Sequence, residues 1–320
     1  MTSTPLLHIG YHKTATTWFQ KVFYPACREA YLAPRRDIRQ VFLCPTAFAF
    51  DPRKARLSFS NPDHKRTIIC DEGLVGHYGN AGFLQALSKD VAYRLYDSFP
   101  DGQVVIFLRN QLDMLKATYL QYIRRGGTRT VKQFLWPYYY QPHYRTKAFK
   151  KAMFCLEHLQ YQHLIRHYQN VFGRENVHVF FYEDFQADPL GFLYHYARTL
   201  ELDIDIDDLD PSPRNMAYGL VTARLARVLN YVTVGDMENS LTIAPLLRRK
   251  TNENLMAQIN RTRLAGPKLT TSRLFGDELK AQIASYYGPS NRALAKNLGV
   301  ALGERGYPLT DESDDTEAAA

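Results

Sequence analysis

Only four cysteines occur in 320 residues (Cys27, Cys44, Cys70 and Cys155), and none pairs with another at CxxC spacing or clusters with histidines. That pattern excludes a zinc finger or ribbon, and no metal is called for. It suits reduced thiols in a reducing compartment. No apolar run approaches the ~20 residues of a membrane span. The opening MTSTPLLHIGYHK lacks both the charged lead and the apolar core of a secretory signal. A cytoplasmic, soluble protein without a transmembrane segment is the expectation. Acidic residues are scarce as well. Lys and Arg number 40 against 32 Asp and Glu, and five of those acids sit in the last ten residues, DESDDTEAAA. The remaining chain is basic, which suits an anionic ligand as well as a solvated basic surface.

Short apolar runs without alternation stand at Leu6–Tyr11, Val41–Cys44, Thr67–Cys70, Val104–Leu108 and Val177–Tyr182. Such runs read as strands buried on both faces. Helical patterns lie between them at Thr16–Ala26, Leu112–Arg125 and Leu156–Phe172. Alternating strands and helices predict an α/β fold, a parallel sheet flanked by helices. Past about residue 200 the pattern is helical, over Val221–Val232, Thr251–Ile259 and Gly276–Leu298. The reading is one domain over 1–310. Its α/β core spans about 5–200 and a mostly helical part about 201–305. Residues 311–320 form a disordered acidic tail.

The segment HIGYHKTATTWFQ (8–20) joins the first strand to the first helix. A helix start there offers unpaired N–H groups and a positive dipole end to an anion. Lys13 adds a charge, and Thr14, Thr16 and Thr17 add hydroxyls. An ATP-type loop needs two glycines before its lysine. Leu7 and His12 occupy those positions, so both are absent. Asp71-Glu72 after an apolar strand looks like the acidic pair of ATPases and pulls the other way. The bland alternative is a lysine and threonines at the start of an ordinary helix.

Lys13-Thr14-Ala15-Thr16-Thr17-Trp18 resembles the 5′-phosphosulfate loop of sulfotransferases that use 3′-phosphoadenosine 5′-phosphosulfate (PAPS). Val104-Val105-Ile106-Phe107-Leu108-Arg109-Asn110 is similar to their strand ending in a 3′-phosphate arginine. Phe181-Tyr182-Glu183-Asp184-Phe185 is similar to a later family segment, and SNRALAKNLG is a looser match near the C-terminus. The resemblance implies a P-loop-like fold, PAPS as donor and 3′-phosphoadenosine 5′-phosphate (PAP) as product. Lys13 would then stabilise the leaving 5′-phosphate, with His12, Thr14, Ala15, Thr16 and Thr17 around it. Trp18 would stack on adenine, or else pack in the core. Arg109 would hold the 3′-phosphate, and Tyr182 would either position adenine or serve as a core tyrosine.

Two positions depart from the family pattern. Ala15 stands where glycine is usual, and Ala117 where a phosphate-binding serine is usual; Thr118 follows it. Arg124, Arg125 and Arg129 are further cations in a glycine-containing loop. For the base that takes the acceptor's proton, Glu72 resembles the glutamate of carbohydrate-type and bacterial members, with His77 and His12 as rivals. PYYYQPHYRTKAFKK (137–151) combines rings and cations suited to a glycan or glycolipid acceptor, or to packing on the body. Two other readings remain open: a P-loop kinase or nucleotide hydrolase, and a non-catalytic nucleotide- or polyanion-binding protein.

Overall fold

A computed structural model describes residues 4–61, 63, 65–76, 83–135, 155–212, 217–234, 243–244 and 246–309, the side chains of 83–87 excepted. Acidic tail residues 311–320, His77 and the aromatic segment 137–151 lie outside these described residues. The rest groups into two compact units. The first draws on Met1–Asn110, Glu157–Arg214 and Ser290–Gly306, and the second on Gln111–Leu156, Asn215–Pro289 and Tyr307–Ala320.

The first unit carries a five-stranded parallel sheet. Its strands are β1 (Leu6–His8), β2 (Ala30–Leu32), β3 (Arg66–Cys70), β4 (Gln103–Leu108) and β5 (Val177–Phe181), in the order β2-β3-β1-β4-β5. The central strands are almost wholly buried, which explains why their sequences run apolar without alternation. Past His8 the chain still runs along β4. The N–H of Ile9 donates to Val105 O at 3.0 Å, and that of Tyr11 to Phe107 O at 3.2 Å.

One expected strand is a helix. Val41–Cys44 falls in and just after the helix Arg35–Phe42. Ile38 and Phe42, four residues apart, are both fully buried there. The helical period of those two residues prevails over the short apolar run Val41–Leu43. The strand actually present, Ala30–Leu32, is only three residues long and half-buried, too brief to announce itself by pattern.

Beneath β1 and β4 the unit packs an aromatic core of Phe19, Phe23, Tyr24, Phe107, Phe180, Phe192 and Tyr196. The helical run after the first loop supplies several of these rings. It passes from an α turn (Thr16–Trp18) through a π-helical segment (Phe19–Phe23) to a second α turn (Tyr24–Ala26). Single π insertions of this kind often mark functional sites.

The second unit is helical, apart from two-residue strands at Thr233–Val234 and Leu247–Arg248. Helices Gln111–Arg124 and Leu220–Leu229 are joined through Asn230, whose amide donates to Ile123 O and Gly127 O at 2.8 and 2.7 Å. The hydroxyl of Tyr122 accepts the N–H groups of Thr128 and Arg129, both at 3.0 Å, and so orders the RRGGT turn. A methyl group on Gly127 would stand 2.3 Å from the Tyr122 ring, so that turn requires glycine. The helix Thr271–Leu298 has a break at Gly276 (φ 69°), which is where the sequence pattern placed its start.

Candidate active site

Chain order and strand order together select one place on the sheet. From β1 the chain leaves toward the β3 and β2 side, and from β4 it leaves toward β5. The carboxyl ends of β1 and β4 therefore flank a topological switch point, where open α/β sheets bind ligands. Lys13 follows β1 and Arg109 ends β4.

The loop after β1 has the backbone of an anion cradle. Lys13 and Ala15 both have left-handed backbones (φ 67° and 66°), with Thr14 between them. Such alternation turns successive N–H groups toward one point. Ala15 is also the residue from which the helix starts, and no side chain caps that start. The first-turn N–H groups thus lack a side-chain acceptor. The left-handed backbone explains why glycine is usual at position 15. It places the Ala15 methyl at a cost of about 1–2 kcal/mol.

The threonines of the loop play separate parts. Thr14 is fully buried, and its hydroxyl donates to Tyr11 O, which fixes the turn. Its approach to a ligand is through backbone N–H. The Thr16 hydroxyl is buried and finds no hydrogen-bond partner among the described residues. Thr17 and Lys13 are exposed and His12 is half-buried. Trp18 is packed against Phe19, Phe23 and Phe185, and its indole N–H donates to Asp210 O at 2.9 Å. The indole is 6% exposed and belongs to the core cluster.

Arg109 joins three of the segments singled out in the sequence. Its Nη1 donates to Lys13 O at 3.0 Å, and its guanidinium carbon lies 4.5 Å from the centre of the Tyr182 ring. Its Nε is buried without a hydrogen-bond partner among the described residues. The contact with Tyr182 restrains the guanidinium, a planar group able to make a two-point contact. Tyr161 donates its hydroxyl to Arg109 O at 2.6 Å. The next residue, Asn110, donates its backbone N–H and its amide to Glu183 Oε1 at 2.8 and 3.0 Å. Burial raises the Glu183 carboxyl above its ordinary pKa, against the lowering effect of the Asn110 bonds and of Arg109. These contacts fasten the start of the Tyr182–Ala187 helix to the end of β4.

The acidic pair after β3 reaches the same sheet edge. β1 and β3 are paired in register His8↔Cys70, and Asp71 N donates to His8 O at 3.2 Å. Asp71 is fully buried, where it accepts from Arg35 Nε and Arg39 Nε at 2.7 Å each and from Gly73 N at 2.6 Å. Arg35 also reaches Glu72 Oε1 with its Nη2. Glu72 Oε2 is buried without a hydrogen-bond partner among the described residues. Asp71 is thus a structural anchor and Glu72 retains one unengaged oxygen. Gln20 ties this corner to the cradle, donating to Cys70 O at 2.7 Å.

Arg35, Arg39, Gln20, Tyr161 and Glu183 were missed as site residues. The arginines stand four apart on one helix, the only local hint, but their carboxylate partners lie 32 to 37 residues away. Ala117 and Thr118 lie on the Gln111–Arg124 helix in the second unit; Ala117 is half-buried and Thr118 buried, its Oγ1 unpartnered among the described residues. In the same unit Arg124 stacks on Tyr218 with 4.5 Å between guanidinium carbon and ring centre.

The parallel sheet thus carries a cradle-like loop backbone and an arginine at its switch point. The chain superposes over most of its length on a solved structure. A sulfotransferase from Alicyclobacillus acidocaldarius matches with a TM-score of 0.56 at 14% identity, covering 95% of this chain and 99% of that one. A mouse sulfotransferase complexed with PAP matches with a TM-score of 0.41 at 15% identity, covering 91% of this chain and 85% of that one. No protein-family model and no curated protein matches the sequence. The fold is that of a sulfotransferase.

Proposed function

We propose that the protein is a PAPS-dependent sulfotransferase that moves the sulfuryl group to an acceptor hydroxyl. The observation that carries this reading is the junction of Arg109 with the carbonyl of Lys13 and the ring of Tyr182. It unites the three segments whose sequences resemble the family at the place where the fold binds ligands.

In this reading the cradle N–H groups and the Thr16 hydroxyl hold the donor's 5′-phosphate, and Arg109 grips the 3′-phosphate. The acceptor oxygen attacks sulfur in line, and the bond from sulfur to the bridging phosphate oxygen breaks. Negative charge then gathers on the leaving phosphate, where the Lys13 ammonium offsets it. Glu72 takes the acceptor's proton on Oε2, while Arg35 holds the other oxygen and keeps the carboxylate aligned. A carboxylate with one fixed and one open oxygen suits a base better than His12, which flanks the cradle lysine.

The acceptor class proposed is a glycan or glycolipid, on the composition of 137–151, and the site of action the cytoplasm. The ATP alternative finds no added support, because Asp71 is consumed by two arginines and is not open to a magnesium ion. Transfer from radiolabelled PAPS to a panel of glycans and glycolipids tests the reading. Labelled product from the parent chain and none from Lys13→Ala is the expected result. Equal labelling by both would remove Lys13 from the mechanism.

A further inference from the structure

The second unit carries a surface that the transfer chemistry does not use. Helix Leu220–Leu229 buries Thr222, Ala223 and Ala226, and turns Val221, Leu225 and Val228 outward. Those three are spaced four and three residues apart, so they form one stripe along the helix. The stripe begins against the turn that follows helix Arg249–Asn260. Leu220 N donates to Pro267 O at 3.0 Å, and a Cβ on Gly266 would meet Val221 Cγ2 at 2.5 Å. Leu264, two residues from that glycine, is 71% exposed.

Cations share the two segments that carry these aliphatic groups. Arg224 on the helix, and Arg261, Arg263 and Lys268 on the turn, are all exposed. Neither 217–235 nor 254–276 contains an aspartate or glutamate. Across 217–273 there are nine Lys and Arg against three acids, so this stretch supplies +6 of the chain's formal +8. Exposed aliphatic side chains are ordinary when scattered, but a stripe set in uncompensated positive charge has a specific chemistry.

We infer that this face docks on an anionic membrane surface, with Val221, Leu225, Val228 and Leu264 entering the headgroup layer and the cations of the same segments meeting acidic lipids. Basic surfaces with aliphatic groups at their centre bind in this way. A nucleic acid would be met by cations and aromatic rings, and the exposed groups here are aliphatic. A second copy of the chain would bring the same positive charge to the same place. The inference is independent of the donor chemistry proposed above.

Co-sedimentation of the full chain with lipid vesicles tests it. Binding to mixed phosphatidylcholine–phosphatidylglycerol vesicles, and none to phosphatidylcholine alone, is expected at low ionic strength. The Arg261→Gln/Arg263→Gln variant should lose affinity roughly fivefold per removed cation. The Val221→Ser/Leu264→Ser variant should lose about tenfold or more, from the apolar area withdrawn. All four residues are at the surface, and unchanged thermal melts verify that both variants fold. Failure to bind the mixed vesicles overturns the inference. So does binding that survives the serine variant, or tighter retention on a single-stranded oligonucleotide than on the vesicles.

Discussion

Arg109 Nη1 donates to the backbone carbonyl of Lys13 at 3.0 Å, across the gap between the ends of β4 and β1. One side chain thereby sets the spacing between the group proposed for the 3′-phosphate and the loop proposed for the 5′-phosphate. Arg109→Ala removes a charged two-point donor and the brace on the loop together. PAP binding should weaken by roughly 10- to 150-fold, since hydrogen bonds to charged groups contribute about 1.5–3 kcal/mol. Arg109→Lys should recover only part of the loss, because an ammonium cannot stack flat on Tyr182. Calorimetric titration of both variants checks this.

Glu72→Gln keeps the size of the side chain and removes its basicity. The turnover number should fall by about 10²–10⁴, the usual contribution of a general base. KM for the donor should stay within about twofold, since nothing in the cradle is touched. Arg35→Ala should also lower turnover and alter its pH profile, because it acts through the carboxylate. An unchanged rate in Glu72→Gln would pass the base role to a histidine.

Ala15→Gly tests the backbone of the cradle. Glycine occupies the left-handed region freely, which removes a penalty of about 1–2 kcal/mol, but it adds unfolded-state entropy of roughly 0.4–1 kcal/mol. A net gain in stability of between about 0 and 1.6 kcal/mol in denaturant melts is expected, with PAP affinity unchanged. Destabilisation by this substitution would contradict the left-handed geometry.

His8 predicts an acid-side loss of stability. It is fully buried on β1, with Nδ1 and the Tyr24 hydroxyl 2.6 Å apart, and burial pushes its pKa from 6.5 to about 3. The folded state keeps this imidazole neutral, while the unfolded chain protonates it below pH 6.5. The unfolded state therefore binds more protons between pH 6.5 and about 3. Stability is fully present above that window and falls as pH drops through it, by up to about 1.4 kcal/mol per pH unit from this residue. Thermal melts from neutral pH to pH 5 should show a shallower decline in His8→Phe than in the parent.

Much of this architecture was legible in the chain. Leu6–His8, Gln103–Leu108 and most of Arg66–Cys70 are buried on both faces, and burial of that kind writes apolar runs without alternation. Ala30–Leu32 was not legible, because three half-buried residues impose no pattern. Lys13, Arg109 and Tyr182 stand out in the sequence because each follows an apolar strand, where local sequence dictates position. The clamp of Arg35 and Arg39 on Asp71 was hidden, since an ion pair between distant elements leaves no periodic trace. Ala15 was visible as a departure, but only its φ of 66° gives the departure a physical meaning.

In the proposed reaction the β1 loop and Arg109 bind an adenosine bisphosphate and not a nucleoside triphosphate. Calorimetric titration of the full chain with PAP, and separately with ATP and magnesium, tests it most directly. Micromolar binding of PAP, lost in Arg109→Ala, with no heat from ATP, is the predicted result. Micromolar binding of ATP with magnesium and none of PAP would contradict it.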